Sequence, residues 1–199
     1  MTKKNRSHRS KRARRDAAAT ALRRLLTDLG CDLRGEMRHT PSRAATLWSE
    51  HLLAFEGADL GKVLGRGSPS KATAPVTLLD VGVHLVCPHH LTVAFGRAHV
   101  AYLPGGRLAG FGALARLINA CTARLILQED AVTKITEALV EHAQARAAVA
   151  VIEAQHPCHN VPHARSHRAR VVTWGRTGET AGCRDLSKTL RAAMHEHGS

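Results

Sequence analysis

The sequence predicts an α+β chain in which two helices come first and two antiparallel strand pairs flank a central pair of helices. Three observations carry that prediction: apolar residues recur at helical spacing in several stretches, Val- and Leu-rich alternating runs come in pairs, and Gly and Pro cluster between them. Residues 16–29 carry Ala18, Leu22, Leu25, Leu26 and Leu29 at helical spacing, with Gly30 as a stop. Thr40 as N-cap and Pro41 in the first turn open a second helix through Ala44, Leu47, Trp48, Leu52 and Leu53. Residues 57–75, with Gly57, Gly61, Gly65, Gly67, Pro69 and Pro75, predict an irregular connection. Residues 76–85 and 97–103 predict the first strand pair, with Gly96 before the second strand. Residues 113–127 and 131–145 follow as helices with Gln128 and Glu129 at their junction; residues 148–153 and 168–173 then predict a second strand pair, and a helix ends the chain.

At 199 residues the chain suits one domain of ordinary size, able to bury a core without disulfides or structural staples. Hydrophobic residues make up 44% but aromatics only 3%, so the core is built from Ala, Leu, Val and Ile, and stacking platforms for single-stranded bases are scarce. The net charge of +13 owes much to Lys3, Lys4, Arg6, Arg9, Lys11, Arg12, Arg14 and Arg15. Residues 1–15 therefore read as a disordered, solvated basic tail or as a nucleic-acid arm, followed by a helical region and linker over 16–75 and the main strand-bearing domain over 76–199. No apolar run reaches the roughly 20 residues of a membrane span, and no apolar stretch follows the N-terminal charges as in a secretory signal. Five widely spaced cysteines fit a reducing, cytoplasmic compartment, which leaves thiols free for metal.

The chemistry concentrates in the connections between predicted strands. Cys87 and His90 stand three apart after the first strand, and Cys158 follows His156 after the third. Two thiolates and one imidazole are donors that zinc favours, and three ligands leave a fourth position for water, as in catalytic sites. In a chain with 14 histidines such spacing also arises by chance.

The surrounding residues resemble the GTP cyclohydrolase I family. Cys87-Pro88-His89-His90, Gly96 and His99-Val100-Ala101-Tyr102-Leu103-Pro104 match its Cys-Glu-His-His, Gly and His-Val-Ala-Tyr-x-Pro in order and spacing. Gln128-Glu129 match its Gln-Glu, His156-Pro157-Cys158 its His-x-Cys, and Thr40-Pro41-Ser42-Arg43-Ala44-Ala45 its Thr-Pro-x-Arg-Val-Ala; the likeness covers roughly residues 20–174. It implies a tunnelling fold whose copies assemble as a homo-oligomer, a decamer in the family. It also implies that Cys87, His90 and Cys158 bind zinc, that His89 and His156 transfer protons, and that Glu129, Gln128 and Arg116 bind a purine nucleotide. The implied reaction opens the purine imidazole ring of GTP at C8, releases formate and closes to 7,8-dihydroneopterin triphosphate. His99 and Tyr102 read as strand and core residues, and His159, His163 and His167 as loop residues dense enough to meet phosphate or metal.

The departures from the pattern fall at the phosphate end. The family's Gly-Leu-Ser-Lys aligns with Gly110-Phe111-Gly112-Ala113, its Arg four positions after His-x-Cys with Pro162, and the first residue of its Arg-Arg pair with Ala123, leaving Arg116 and Arg124. Each lost charge-assisted hydrogen bond weakens binding by roughly 1.5–3 kcal/mol. A diverged relative acting on a less phosphorylated purine or related heterocycle is thus the alternative, unless His159, His163, Arg165, His167, Arg168 and Arg170 compensate. Pro88 in place of Glu removes a carboxylate and stiffens the loop. A basic nucleic-acid-binding or scaffolding protein with structural zinc is the reading from another class; it requires the first 15 residues for function.

Overall fold

Lys, Arg and Ala are strong helix formers, and in the computed structural model, which describes residues 3–161 and 169–197, they sustain one helix, α1 (Lys3–Asp28). The expected disordered tail is therefore helical from Lys3 onward. Gly30, at φ 81°, follows the helix in the left-handed conformation that glycine adopts without strain. A 3₁₀ turn (Gly35–His39) leads into α2 (Thr40–Leu47), which continues as a π-helical turn (Trp48–Leu52). The N-cap of α2 is His39 rather than Thr40, whose hydroxyl instead reaches Met37 Sδ at 3.7 Å; Pro41 does occupy the first turn. α1 packs on α2, and Arg15 pairs with Glu50 at 2.8 Å. These elements form one compact unit, Met1–Ala54, and the rest of the chain forms a second, Phe55–Ser199.

The second unit opens with α3 (Leu60–Leu64), capped by Asp59, whose carboxylate accepts from the Lys62 N–H at 3.0 Å. This short helix and β1 (Ser68–Pro69) lie inside the stretch expected to be irregular. β2 (Val76–Val86) and β3 (Val93–Leu103) pair antiparallel, with a bulge between Leu78 and Val81 where Asp80 sits at φ 56°. Gly96 lies within β3, not ahead of it: a Cβ there would come 2.0 Å from the Glu153 carbonyl oxygen of the neighbouring strand. β4 (Arg107–Leu108) pairs with β1. Then come α4 (Phe111–Thr122), α5 (Gln128–Ala143), β5 (Ala147–Gln155), the single turn α6 (Pro157–Asn160), β6 (Val171–Gly178) and α7 (Thr180–His197). The last strand begins at Val171 and runs to Gly178, beyond the expected end, because Trp174, Arg176 and Thr177 continue the pairing with β5.

The strand pairs join in one antiparallel sheet of order β2-β3-β5-β6. Alternation sorts its residues. Ala98, Val100 and Tyr102 of β3 and Ala148, Ala150, Ile152 and Ala154 of β5 build the main core with α4 and α5, while Ala101, Val149 and Val151 face Leu186 and Leu190 of α7. Alanine-rich strands let helices approach closely: a Cβ on Gly175 would stand 2.6 Å from the Val132 carbonyl oxygen of α5. This is the two-strand-pair, two-helix unit of the tunnelling fold. No described helix is long and apolar enough to cross a membrane.

Candidate metal centre

The antiparallel order brings the C-terminal ends of β2 and β5 to the same end of the sheet as the N-terminal ends of β3 and β6. The β2–β3 loop is tied at both ends: the Cys87 N–H donates to the Thr92 carbonyl and the Leu91 N–H to the Cys87 carbonyl, each at 2.9 Å. Leu91 takes a left-handed conformation, φ 56°, to close the loop. Cys87 Sγ and His90 Nδ1 thereby come within 3.6 Å. Cys158 is supplied by α6, which starts directly after β5 and is tied by the His159 and Asn160 N–H groups donating to the His156 carbonyl at 3.0 Å.

The three donor atoms lie within 4.8 Å of one another, and both cysteines are free thiols. Tetrahedral zinc, with Zn–S of about 2.3 Å and Zn–N of about 2.0–2.1 Å, requires an S···N edge of about 3.6 Å. The Cys87–His90 separation meets that requirement, so the donor set fits zinc in chemistry and along that edge in size. His89 adjoins it, its ring edge-on to that of His90 at 6.1 Å.

The α4–α5 connection runs against the end of β2, where the Val86 N–H donates to the Arg124 carbonyl and the Ile126 N–H to the Val86 carbonyl, both at 3.1 Å. That contact sets the first turn of α5 beside the donors. The resulting cleft, about 280 Å³, is lined by Cys87, His89, His90, Glu129, His156 and Cys158, among others. His156 Nε2 is 2.8 Å from Gln128 Oε1. Burial lowers the pKa of His156; Glu129 opposes that shift and His159 adds to it. Glu129 is exposed in the first turn of α5, where a carboxylate also complements the helix dipole.

The structure thus gathers Cys87, His89, His90, Gln128, Glu129, His156 and Cys158, and it adds His159, which also lines the cleft. Arg116 is exposed on α4 and is not among the residues lining the cleft. The Gln128 side chain is 3% exposed and its amide nitrogen faces Ile152, Val171 and Thr173. His99 is buried on β3, and the Tyr102 hydroxyl accepts from the Ala109 N–H at 3.0 Å in the core, as strand and core residues should. Of the basic run, Arg170 pairs with Glu153, while His163, Arg165, His167 and Arg168 lie outside the described residues. Arg124, in sequence only the remnant of an arginine pair, has its Nε and Nη2 buried with no hydrogen-bond partner among the described residues.

The GTP cyclohydrolase 1 of Ralstonia nicotianae is 41% identical to this chain over 140 residues, 70% of this chain and 67% of that one. The GTP cyclohydrolase 1 of Chromobacterium violaceum is 40% identical over 134 residues, 67% of this chain and 65% of that one. The matched stretch thus spans about two thirds of the length of each of these curated relatives. Among solved structures, an apo archaeosine synthase QueF-like protein is similar with a TM-score of 0.46 and 17% identity, over 55% of this chain and 99% of that one. The family model described as GTP cyclohydrolase I matches residues 18–195, a span that holds both donor-bearing segments and helices α4 and α5 between them, and the chain belongs to that family.

Proposed function

We propose that this protein is a zinc hydrolase of the GTP cyclohydrolase I type, which opens the imidazole ring of GTP at C8, releases formate and forms 7,8-dihydroneopterin triphosphate. The observation that carries this reading is the shared cleft: Cys87, His90 and Cys158 converge as donors beside one imidazole, His156, and one carboxylate, Glu129. Zinc held by those three donors supplies Lewis acidity and lowers the pKa of water. Glu129 accepts hydrogen bonds from the ring N–H and exocyclic amine of guanine, fixing the base in the cleft. His156 takes a proton from the water that adds at C8 and returns it to the ring nitrogen as the C8–N9 bond opens; burial lowers its pKa and so favours the neutral form that can accept that proton. His89, exposed at the mouth, exchanges protons with solvent.

The start of α4 favours the second reading, a less phosphorylated purine, because Gly110, Phe111, Gly112 and Ala113 offer neither hydroxyl nor ammonium. A neighbouring copy is expected to border the cleft of about 280 Å³, as assembly in the family implies. The outer edges of β2 and β6 pair with no other strand among the described residues and suit a homo-oligomer, a decamer in the family, acting in the cytoplasm.

The test is incubation of the zinc-loaded protein with GTP, GMP, guanosine and guanine, scoring formate and oxidised pterin fluorescence. GTP turnover that is lost in His156→Ala supports the first reading. Turnover of only a less phosphorylated purine supports the second, and silence on all four removes both.

A further inference from the structure

We infer that Gln128 serves the reaction through His156 rather than through the substrate: its amide holds the imidazole as the Nε2–H tautomer and leaves Nδ1 to exchange the reaction's proton. The catalytic half of this inference rests on the function proposed above; the tautomer does not.

Chemistry fixes the orientation of the amide. The Gln128 side-chain nitrogen is 2.9 Å from the Ile152 carbonyl oxygen, 3.0 Å from the Val171 carbonyl oxygen and 3.0 Å from Thr173 Oγ1. Carbonyl oxygens only accept, so the group facing two of them must be the NH₂; the flipped amide would set oxygen against oxygen twice. Oε1 is then necessarily the atom 2.8 Å from His156 Nε2. An amide oxygen cannot donate, so Nε2 carries the hydrogen. In a neutral imidazole the other nitrogen is then bare, and only Nδ1 is left as a proton acceptor.

The same bonds argue against Gln128 reading the purine. Its two amide protons are taken by main-chain carbonyls of β5 and β6, and the residue is only 3% exposed. Ile152 pairs with Thr173 across those two strands, so the amide is anchored in the sheet while its backbone starts α5. His156 borders the cleft at the end of β5, and its side chain is hydrogen-bonded to Gln128. Gln128 is therefore a positioning residue. It selects the tautomer and the ring plane in the way that outer hydrogen-bond partners orient catalytic and metal-binding imidazoles.

The test is a two-bond proton–nitrogen correlation spectrum of the full-length protein carrying isotope-labelled histidine, at about pH 8, where an ordinary imidazole is neutral. His156 is assigned by the signal missing in His156→Gln. The expected pattern is a proton on Nε2 and a bare Nδ1. In Gln128→Met, of similar shape but with no amide, the His156 signal should move to the average of both tautomers. In the same variant kcat for formate release should fall about 10- to 100-fold with KM nearly unchanged. A proton on Nδ1 in the wild-type protein, a His156 pattern unaltered in Gln128→Met, or a raised KM with unchanged kcat would overturn the inference. If Gln128→Met does not fold, the wild-type spectrum still decides the tautomer. If no purine releases formate, the reaction reading fails and the tautomer stands or falls on the spectrum.

Discussion

His99 carries a consequence for stability that is separate from the cleft. It is 3% exposed on β3, its Nδ1 accepts from the Asp80 N–H at 3.3 Å, and its Nε2 is buried with no hydrogen-bond partner among the described residues. Burial lowers its pKa; Asp80 and Glu153 oppose that shift and Arg97 adds to it. The folded protein therefore binds this proton less tightly than the unfolded chain, whose value is about 6.5. Stability attributable to His99 is constant above that pH and falls as pH drops through it toward the folded value. Urea midpoints measured between about pH 7.5 and pH 5 should show a shallower decline in His99→Gln than in wild type; equal slopes would assign the decline to other groups. At the donor set, Cys158→Ser should lose bound zinc on dialysis, whereas His156→Ala should keep it and lose about 100- to 10,000-fold in formate release. Metal analysis beside the assay separates the two effects. The donors were legible in the sequence because thiols and imidazoles declare themselves by type and spacing. The task of Gln128 was not, since its partners Ile152, Val171 and Thr173 come from strands that meet it only in the folded chain.

At the scale of elements, the spacing between strands controls the site. A Cβ on Gly96 would lie 2.0 Å from the Glu153 carbonyl oxygen and 2.7 Å from Ala154 Cα, both backbone atoms of β5 that cannot rotate away. Gly96→Ala should therefore push β3 from β5, and β5 leads directly to His156 and Cys158. The expected outcome is destabilisation of about 1–3 kcal/mol or more with weaker zinc binding, read by thermal unfolding and metal titration. Gly82→Ala on β2, where a Cβ meets nothing within 4 Å, is the control and should leave both nearly unchanged. This same packing explains which elements the sequence showed clearly. Helices α1, α2, α4 and α5 and strands β2, β3 and β5 emerge from apolar periodicity. Strand ends do not, because Gly96 reads as a break until β5 is seen beside it. The sequence predicts β6 at 168–173, ahead of its observed range, because Val171 and Val172 have strand character, while Trp174, Arg176 and Thr177 join the pairing only through register with β5.

For the whole molecule, the question is whether its basic N-terminus takes part in the chemistry or only accompanies it. Eight cations precede the first acidic residue and supply much of the net charge of +13. They lie in the unit Met1–Ala54, while the donor set and the candidate proton-transfer residues all belong to Phe55–Ser199. The family match begins at residue 18, after those cations. The helix they form has good intrinsic propensity, so its existence requires no ligand to order it. Removing residues 1–15 should accordingly leave zinc content intact and change formate release by no more than about twofold, the usual scale for surface changes remote from a site. The same deletion should sharply reduce retention on a polyanionic resin, with a shallower salt dependence, because each lost cation removes one counterion-releasing contact. Intact activity with lost retention would separate an enzyme from a dispensable polyanion-binding arm. Loss of activity with zinc retained would tie the arm to the reaction and return weight to a nucleic-acid-binding or scaffolding role.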